Sequence, residues 1–213
     1  LGFAYHALGE YYRAIEYQQQ CLSIAREIGD RRVEGQALGN LGRAYRALGD
    51  HRRVIEYQEQ RLAIAREMGD RRGESSALGN LGLAYHALGE YRRAIEFQER
   101  RLVIDREVAD QRGEGLTLGN LGFAYYALGE YRRAIEYHEL ALAVAREISH
   151  RYGEANSLWG LAICFDAIDD RPEAIAHAQI ALDIFTAIEA PDAQQVQASL
   201  ALSKTRISAT GSP

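Results

Sequence analysis

One sequence element recurs along this chain at a spacing of 40 residues, and this repeat constrains the fold more than any other feature. The segment GNLGRAYRALGD at 39–50 returns as GNLGLAYHALGE at 79–90 and as GNLGFAYYALGE at 119–130. A shortened form opens the chain at 1–10, and a degraded form, WGLAICFDAIDD, lies at 159–170. Repeats of this length are single supersecondary units that bury their apolar faces by stacking on one another. The sequence therefore predicts an array of similar units.

Each unit is predicted to contain two helices, named here helix A and helix B. In one helix A, Leu78, Leu81 and Tyr85 recur at steps of three and four residues, the spacing of a single helix face. Helix B carries two adjoining apolar stripes, as expected for a helix that is buried on two sides. Glycines such as Gly89 end the helices, and Asp70 is a suitable N-cap for the next helix A. These short connections place consecutive helices antiparallel.

The second copy carries a residue pattern that resembles the tetratricopeptide repeat (TPR): Leu41, Gly42, Ala44, Tyr45, Leu48, Gly49, Asp50 and Leu62. The spacing of 40 residues, longer than the usual ~34, is similar to the long-helix subclass of kinesin light chains and LGN/Pins polarity adaptors. The segment RLAIAREMGDRRGE at 61–74 is especially similar to that subclass. Similar arrays also occur in bacterial regulators that carry NB-ARC, transcription-activator or CHAT protease domains.

The resemblance implies an all-α fold, an α-solenoid in which antiparallel helix pairs form a right-handed superhelix with helix A on its concave side. Two features depart from the family pattern. Arg61 and Arg101 replace the usual late alanine of helix B, and the helix-ending proline is absent.

The expected organisation is a TPR array over residues 1–190, followed by a C-terminal capping helix and a tail. The array is divided into a partial first copy at 1–30 and four further copies at 31–70, 71–110, 111–150 and 151–190, with the capping helix at 191–207 and the tail at 208–213. The chain begins inside a helix A without an initiator Met. We therefore expect a fragment of a larger signalling or regulatory protein.

Composition and motifs argue against several functions. The net charge of −5 gives no bulk attraction to nucleic acid. No apolar run is long enough to span a membrane and no signal peptide is recognisable, so a cytoplasmic protein without a membrane partner is expected. Cys21, Cys164 and the six histidines lack metal-ligand spacing, so neither metal nor cofactor is expected. Walker, HExxH and GxSxG motifs are missing, which predicts that the protein is not an enzyme.

The concave surface is the remaining candidate for function. Helical phase places on it the asparagine that recurs in helix A and the residues three and six positions later. The amide of asparagine both donates and accepts, which suits the backbone of a bound peptide. The predicted peptide-binding residues are Asn40, Asn80, Asn120, Arg43, Arg46, Phe3, Leu83, Phe123, His86 and Tyr126.

The sequence leaves alternatives open for these residues. The asparagines could instead bond the neighbouring helix A and stiffen the array, while Phe3, Leu83 and Phe123 could serve packing alone. Trp159 fits either an aromatic anchor for a ligand or a plug at the end of the array.

The predicted function is a protein–protein interaction module that binds a peptide or helical segment of a partner. The alternative is a self-assembling scaffold, a homo-oligomer formed through the open ends of the array. A narrower possibility is a bacterial pheromone-peptide receptor with a closed pocket.

Two expectations concern packing and surface charge. Gly42, Gly82 and Gly122 lie on the apolar stripe of helix A, so we expect them to allow close contact with helix B. Arg92 with Glu96 and Arg132 with Glu136 are predicted to form ion pairs along helix B, since residues four apart are neighbours on a helix.

Overall fold

The computed structural model describes residues 9–210, with side chains described for residues 9–201. Over that part of the chain it consists of ten α-helices without a β-strand. In chain order, α1 to α10 are Tyr11–Ile28, Arg31–Ala47, His51–Glu67, Arg71–Ala87, Tyr91–Glu107, Gln111–Ala127, Tyr131–Glu147, Arg151–Ala167, Arg171–Ala187 and Asp192–Thr210. Phe3, one of the predicted site residues, lies outside the described residues.

The chain folds as two compact units, Leu1–Val108 and Ala109–Pro213. In the first unit α1 to α5 pack in chain order, and α2 also touches α4. In the second unit α6 to α10 pack in chain order, and α6 also touches α8. Each unit is thus a stack of helix hairpins in which one helix A contacts the next. This arrangement confirms the prediction of an all-α TPR solenoid.

Helices begin and end where the repeat predicts caps. The side chains of Asp30, Asp70 and Asp110 each accept a hydrogen bond of 2.9 to 3.0 Å from the backbone N–H three residues on. Most turns end on a glycine with positive φ, such as Gly69 at 66°. Four turns place another residue in this left-handed conformation, namely Ala109, Ser149, Asp169 and Glu189. The turn geometry therefore recurs even where glycine is replaced.

The tyrosine of helix A joins the two helices of a pair. Tyr85 is 2% exposed and stacks on Phe97 of α5, with 5.2 Å between ring centroids. The guanidinium of Arg93 lies 3.9 Å from the centre of the Tyr85 ring and donates to its hydroxyl at 2.6 Å. Tyr45 and Tyr125 are equally buried and stack in the same way. These tyrosines therefore form part of the core.

The glycines of helix A face buried polar side chains of helix B. A Cβ on Gly42 would lie 2.2 Å from Gln58 Nε2, and a Cβ on Gly82 would lie 2.5 Å from Gln98 Nε2. Both glutamines are buried, with exposures of 0% and 2%. The predicted packing role of these glycines is confirmed.

The two predicted ion pairs on helix B are wrong. Among the described residues, Arg92–Glu96 and Arg132–Glu136 do not come within 4.0 Å; instead Arg93 pairs with Glu90 at 3.0 Å. Arg92 and Arg93 are both exposed, but the guanidinium of Arg93 packs over Tyr85 and lies next to Glu90 at the start of the helix. The arginine that pairs is thus the one three residues after the glutamate, and it also contacts the tyrosine of helix A.

Candidate functional site

A polar cleft in the first unit brings together three of the predicted peptide-binding residues. Its volume is about 350 Å³, and α2, α3 and α4 supply its walls. The residues that line this Asn cleft are Gln36, Gly39, Asn40, Arg43, Arg61, Ser76 and Asn80. Asn40 and Asn80 are half-buried, so their side chains are held by the fold and still face solvent.

The two asparagines use only part of their hydrogen-bonding capacity. Asn40 Oδ1 accepts a bond from the guanidinium of Arg43. Asn80 Nδ2 donates to the carbonyl of Ser76 at 2.9 Å. Both bonds stay within one helix, so among the described residues these asparagines do not tie one helix A to the next. The amino group of Asn40 and the carbonyl oxygen of Asn80 remain available to a ligand.

Arg61 reaches the Asn cleft from helix B and makes it positively charged. Its Nη1 donates to Ser76 Oγ at 3.0 Å, and no carboxylate of the described residues lies within 4.0 Å of its guanidinium. Burial, and then the charge of Arg43, lower the pKa of Arg61, while Asp70 acts in the opposite direction. Two arginines therefore share a cleft whose lining residues include no acid.

Arg61 was not among the residues predicted to bind a ligand. The sequence did carry a signal for it, since Arg61 replaces the small residue usual at this place in helix B. The sequence does not show that the Arg61 side chain points into the Asn cleft. The other helix A residues of the first unit are placed differently: Arg46, Leu83 and His86 do not line the Asn cleft, and His86 packs edge-on against Tyr91.

The second unit contains a smaller aromatic pocket of about 170 Å³. Tyr126 and Trp159 form its aromatic part, Asp166 contributes a carboxylate, and Ala162 and Ala178 are among its apolar lining residues. Trp159 also packs against the core of this unit. Its role as an aromatic anchor for a ligand or as a plug at the end of the array stays a prediction.

Asn120 and Phe123 lie on α6 in the second unit and are half-buried. The ring of Phe123 packs edge-on against His138, with 4.7 Å between ring centroids. Packing thus accounts for part of the Phe123 surface.

The described residues contain no group of three or more His, Cys, Asp or Glu side chains that could hold a metal ion. Burial raises the pKa of the Cys164 thiol to about 12, which keeps it protonated. None of the described helices combines the length and apolar character needed to cross a membrane.

Comparison with protein families decides the relationship of this chain. Two family models, both described as tetratricopeptide repeat, match it, one over residues 1–67 and 114–187 and the other over 77–112. The chain belongs to the tetratricopeptide repeat family. TPR arrays are a general protein-interaction module, and most are scaffolds without enzymatic activity. No curated protein matches the sequence.

Several solved structures share the TPR fold of this chain. Nearly identical TPR-like repeats of a kinesin light chain from Podosopora anserina give a TM-score of 0.75 at 22% identity, covering 89% of this chain and 93% of that one. The signal transduction ATPase with a TPR sensor from Pyrococcus horikoshii gives 0.82 at 22% identity, covering 95% and 31%. Rap protein complexed with competence and sporulation factor gives 0.67 at 18% identity, covering 97% and 62%.

Proposed function

We propose that this TPR array binds a segment of a protein partner, and that the Asn cleft of the first unit holds the backbone of that segment. The proposal rests on the presence of one hydrogen-bond donor and one hydrogen-bond acceptor in the same cleft. Asn40 and Asn80 line the same cleft, and within the described part of the chain the Asn40 amino group and the Asn80 carbonyl oxygen make no hydrogen bond. A peptide backbone offers the complementary carbonyl and N–H groups.

The charge of the cleft indicates what the segment carries. Arg43 and Arg61 line it without an acidic residue among the lining side chains. An acidic group of the partner would form charge-assisted hydrogen bonds with these guanidiniums, which fixes register and gives selectivity. A segment with an acidic residue is therefore the expected ligand.

The remaining predicted residues are proposed to add contacts, each within its own unit. Asn120 would repeat the backbone contact in the second unit, while Leu83, Phe123 and Phe3 would receive apolar side chains. Arg46 and His86 would add contacts in the first unit, and Tyr126 would add one in the second. The aromatic pocket beside Tyr126 offers a place for an anchoring side chain.

Relatives with the same fold support a binding role. One TPR structure is a Rap protein in complex with competence and sporulation factor, and another contains a TPR sensor in a signal transduction ATPase. The proposal applies this type of role to the present chain, as the binding or sensing part of a larger regulator.

The test compares captured partners. Partners are recovered from an extract with the wild type, with Asn40→Ala/Asn80→Ala and with Gln20→Ala, which removes an exposed amide from α1 outside the Asn cleft. Loss of each contact should cost about 1 to 3 kcal/mol, about five- to a hundredfold in affinity. The Asn double variant should lose the partners, whereas Gln20→Ala should keep them.

Equal recovery by the Asn double variant and the wild type, with unchanged thermal midpoints, would overturn the proposal. Light scattering against concentration addresses the alternative of self-assembly. A mass that grows with concentration, together with no captured partner, would favour a scaffold that associates through its ends.

A further inference from the structure

Two consecutive copies carry an arginine at the same place in helix B but surround it differently. In the third copy, Arg101 Nε donates to Asp105 Oδ2 at 3.1 Å. Asp105 is fully buried, and its other oxygen accepts a bond from the hydroxyl of Ser75. Gly79 leaves room for the guanidinium, since a Cβ there would lie 2.5 Å from Arg101 Nη1. The charge of Arg101 is thus neutralised within the fold.

In the second copy, the arginine is present without its acid. Arg61 packs against Gly39, where a Cβ would lie 3.1 Å from the guanidinium, just as Arg101 packs against Gly79. The residue four positions after Arg61 is Ala65, and the residue that corresponds to Ser75 is Gly35. The second copy therefore keeps the arginine and its glycine but lacks the acid and the hydroxyl that bonds to it.

A cavity lies at this place in the second copy. It has a volume of about 200 Å³ and is named here the Arg61 cavity. Gly35 and Ala65 line it together with Arg61, so the positions that carry Ser75 and Asp105 in the third copy border open space in the second. Gln36 and Arg61 line both this cavity and the Asn cleft.

Other charged groups line the Arg61 cavity as well. They are Arg31, Arg32 and Asp70. Arg31 is paired with Glu34 and Glu67, and Asp70 caps α4 by accepting a bond of 2.9 Å from the N–H of Gly73. Asp70 is thus committed to a helix N-terminus, and the cavity retains an excess of positive charge.

We infer that a carboxylate of the bound partner segment occupies the Arg61 cavity and pairs with Arg61, as Asp105 pairs with Arg101. The inference rests on the proposed function, since the Asn cleft would place the segment next to the cavity. An Asp or Glu side chain and a chain-terminal carboxylate present the same chemistry. The second copy lacks an internal acid for its arginine, and the ligand supplies that acid.

The first test uses small probes and the Nε–Hε resonances of the arginines. N-acetylglutamate α-amide supplies a side-chain carboxylate, N-acetylglycine supplies a terminal one, and N-acetylglutamine α-amide is the uncharged control. We expect the Arg61 resonance to shift with the carboxylates and not with the uncharged probe. The Arg101 resonance should not shift, because Arg101 is already paired with Asp105. Whichever carboxylate binds more tightly identifies the source.

The matched variant transfers the arrangement of the third copy to the second. Gly35→Ser/Ala65→Asp gives Arg61 its own acid and hydroxyl. We expect its response to the carboxylate probe to weaken about ten- to a hundredfold, the range for a lost charged hydrogen bond. If this variant melts early, Ala65→Asp alone replaces it, because it keeps the Arg61 resonance and still supplies an acid, with the same expected loss.

Three results would overturn the inference: an unshifted Arg61 in the wild type, an equal response in the wild type and in the variants, or tighter binding of inorganic phosphate than of carboxylate at equal ionic strength. Binding of the captured partner shows whether only the carboxylate site is wrong or the proposed function as well. If Gly35→Ser/Ala65→Asp binds it as tightly as the wild type while Asn40→Ala/Asn80→Ala does not, only the carboxylate site fails.

Discussion

At the scale of single residues, one position of helix B decides how closely the two helices of a pair approach. It is occupied by Gln58, Gln98 and His138 in successive copies, each fully or almost fully buried. His138 is the most constrained of the three. A Cβ on Gly122 would lie 2.6 Å from its ring, and a Cβ on Gly160 would lie 2.3 Å from it. A rigid imidazole is thus held between two glycines of different helices.

This confinement predicts that Gly122→Ala destabilises the protein. The rigid His138 ring lies between Gly122 and Gly160, so the added methyl group overpacks the site at a cost of about 1 to 3 kcal/mol. Gly82→Ala should cost less, because Gln98 is flexible and its side-chain end can shift. Chemical denaturation of both variants measures the difference. A smaller loss for Gly122→Ala than for Gly82→Ala would contradict this account.

The fifth copy supplies the control for this prediction. It carries Ala162 and Ala178 where the fourth copy carries Gly122 and His138. The double variant Gly122→Ala/His138→Ala reproduces that pair and should recover part of the lost stability. No recovery would mean that the methyl group clashes with something other than His138.

Burial of His138 also predicts a pH dependence of stability. Burial lowers the pKa of His138 from 6.5 to about 4. Below pH 6.5 the unfolded chain binds a proton that the folded chain binds only near pH 4, so the free energy of unfolding falls as the pH is lowered through this range. The loss between pH 7 and pH 4 should be roughly 3 kcal/mol.

His138→Gln, which restores the residue type of the two preceding copies, should remove this part of the dependence. Denaturation of both proteins at pH 7 and pH 4 measures it. An identical loss in the two proteins would show that His138 does not contribute.

Residue-scale prediction from sequence succeeded for the glycines and the buried tyrosines, because both lie on a stripe with a clear period. It failed for Arg92 and Glu96. Helical spacing makes them neighbours, but spacing gives no information about the Tyr85 ring on another helix that attracts Arg93 instead. Surface pairing depends on tertiary neighbours that a single helix pattern does not contain.

At the scale of helices, the turns between them adopt one geometry whether or not they contain glycine. Ser149 has a φ of 55° at the place where Gly69 has 66°. A residue with a Cβ pays roughly 1 to 2 kcal/mol for this left-handed conformation, which glycine adopts freely.

We therefore predict that Ser149→Gly stabilises the protein by about 1 kcal/mol, or about 2 to 4 °C in thermal midpoint. Gly69→Ser is the reverse change in the first unit and should lower the midpoint, although nothing lies within 4 Å of its Cβ position. Calorimetry of the two variants measures both. Shifts of the same sign would contradict the argument.

Helix positions were predictable because the caps and apolar stripes recur with the repeat. The end of the last helix is not given by the repeat. The capping helix was expected at 191–207, whereas α10 runs from Asp192 to Thr210. Ser208, Ala209 and Thr210 include no helix breaker, and Gly211 is the first residue that strongly disfavours continuation.

At the scale of the whole chain, the repeat explains the fold, and the differences between copies point to function. The core residues change little from copy to copy, whereas Arg61, Ala65 and Gly35 form a set unlike that of the next copy. Periodicity predicted Asn40, Asn80 and Arg43 as a surface, and the structure brings them into one cleft. The sequence pattern does not indicate Arg61 as a site residue, because it predicts only packing contacts for helix B. The handedness of the superhelix stays a prediction.

Site-specific photocrosslinking tests most directly whether a partner segment lies in the Asn cleft. Gln36 is exposed and lines both the Asn cleft and the Arg61 cavity, whereas Gln20 is exposed on α1 and lines neither. Each is replaced in turn by p-benzoylphenylalanine, and the protein is irradiated with the purified partner segment. We predict a covalent adduct from position 36 and none from position 20. An adduct from position 20 alone, or equal adducts from both, would contradict the account.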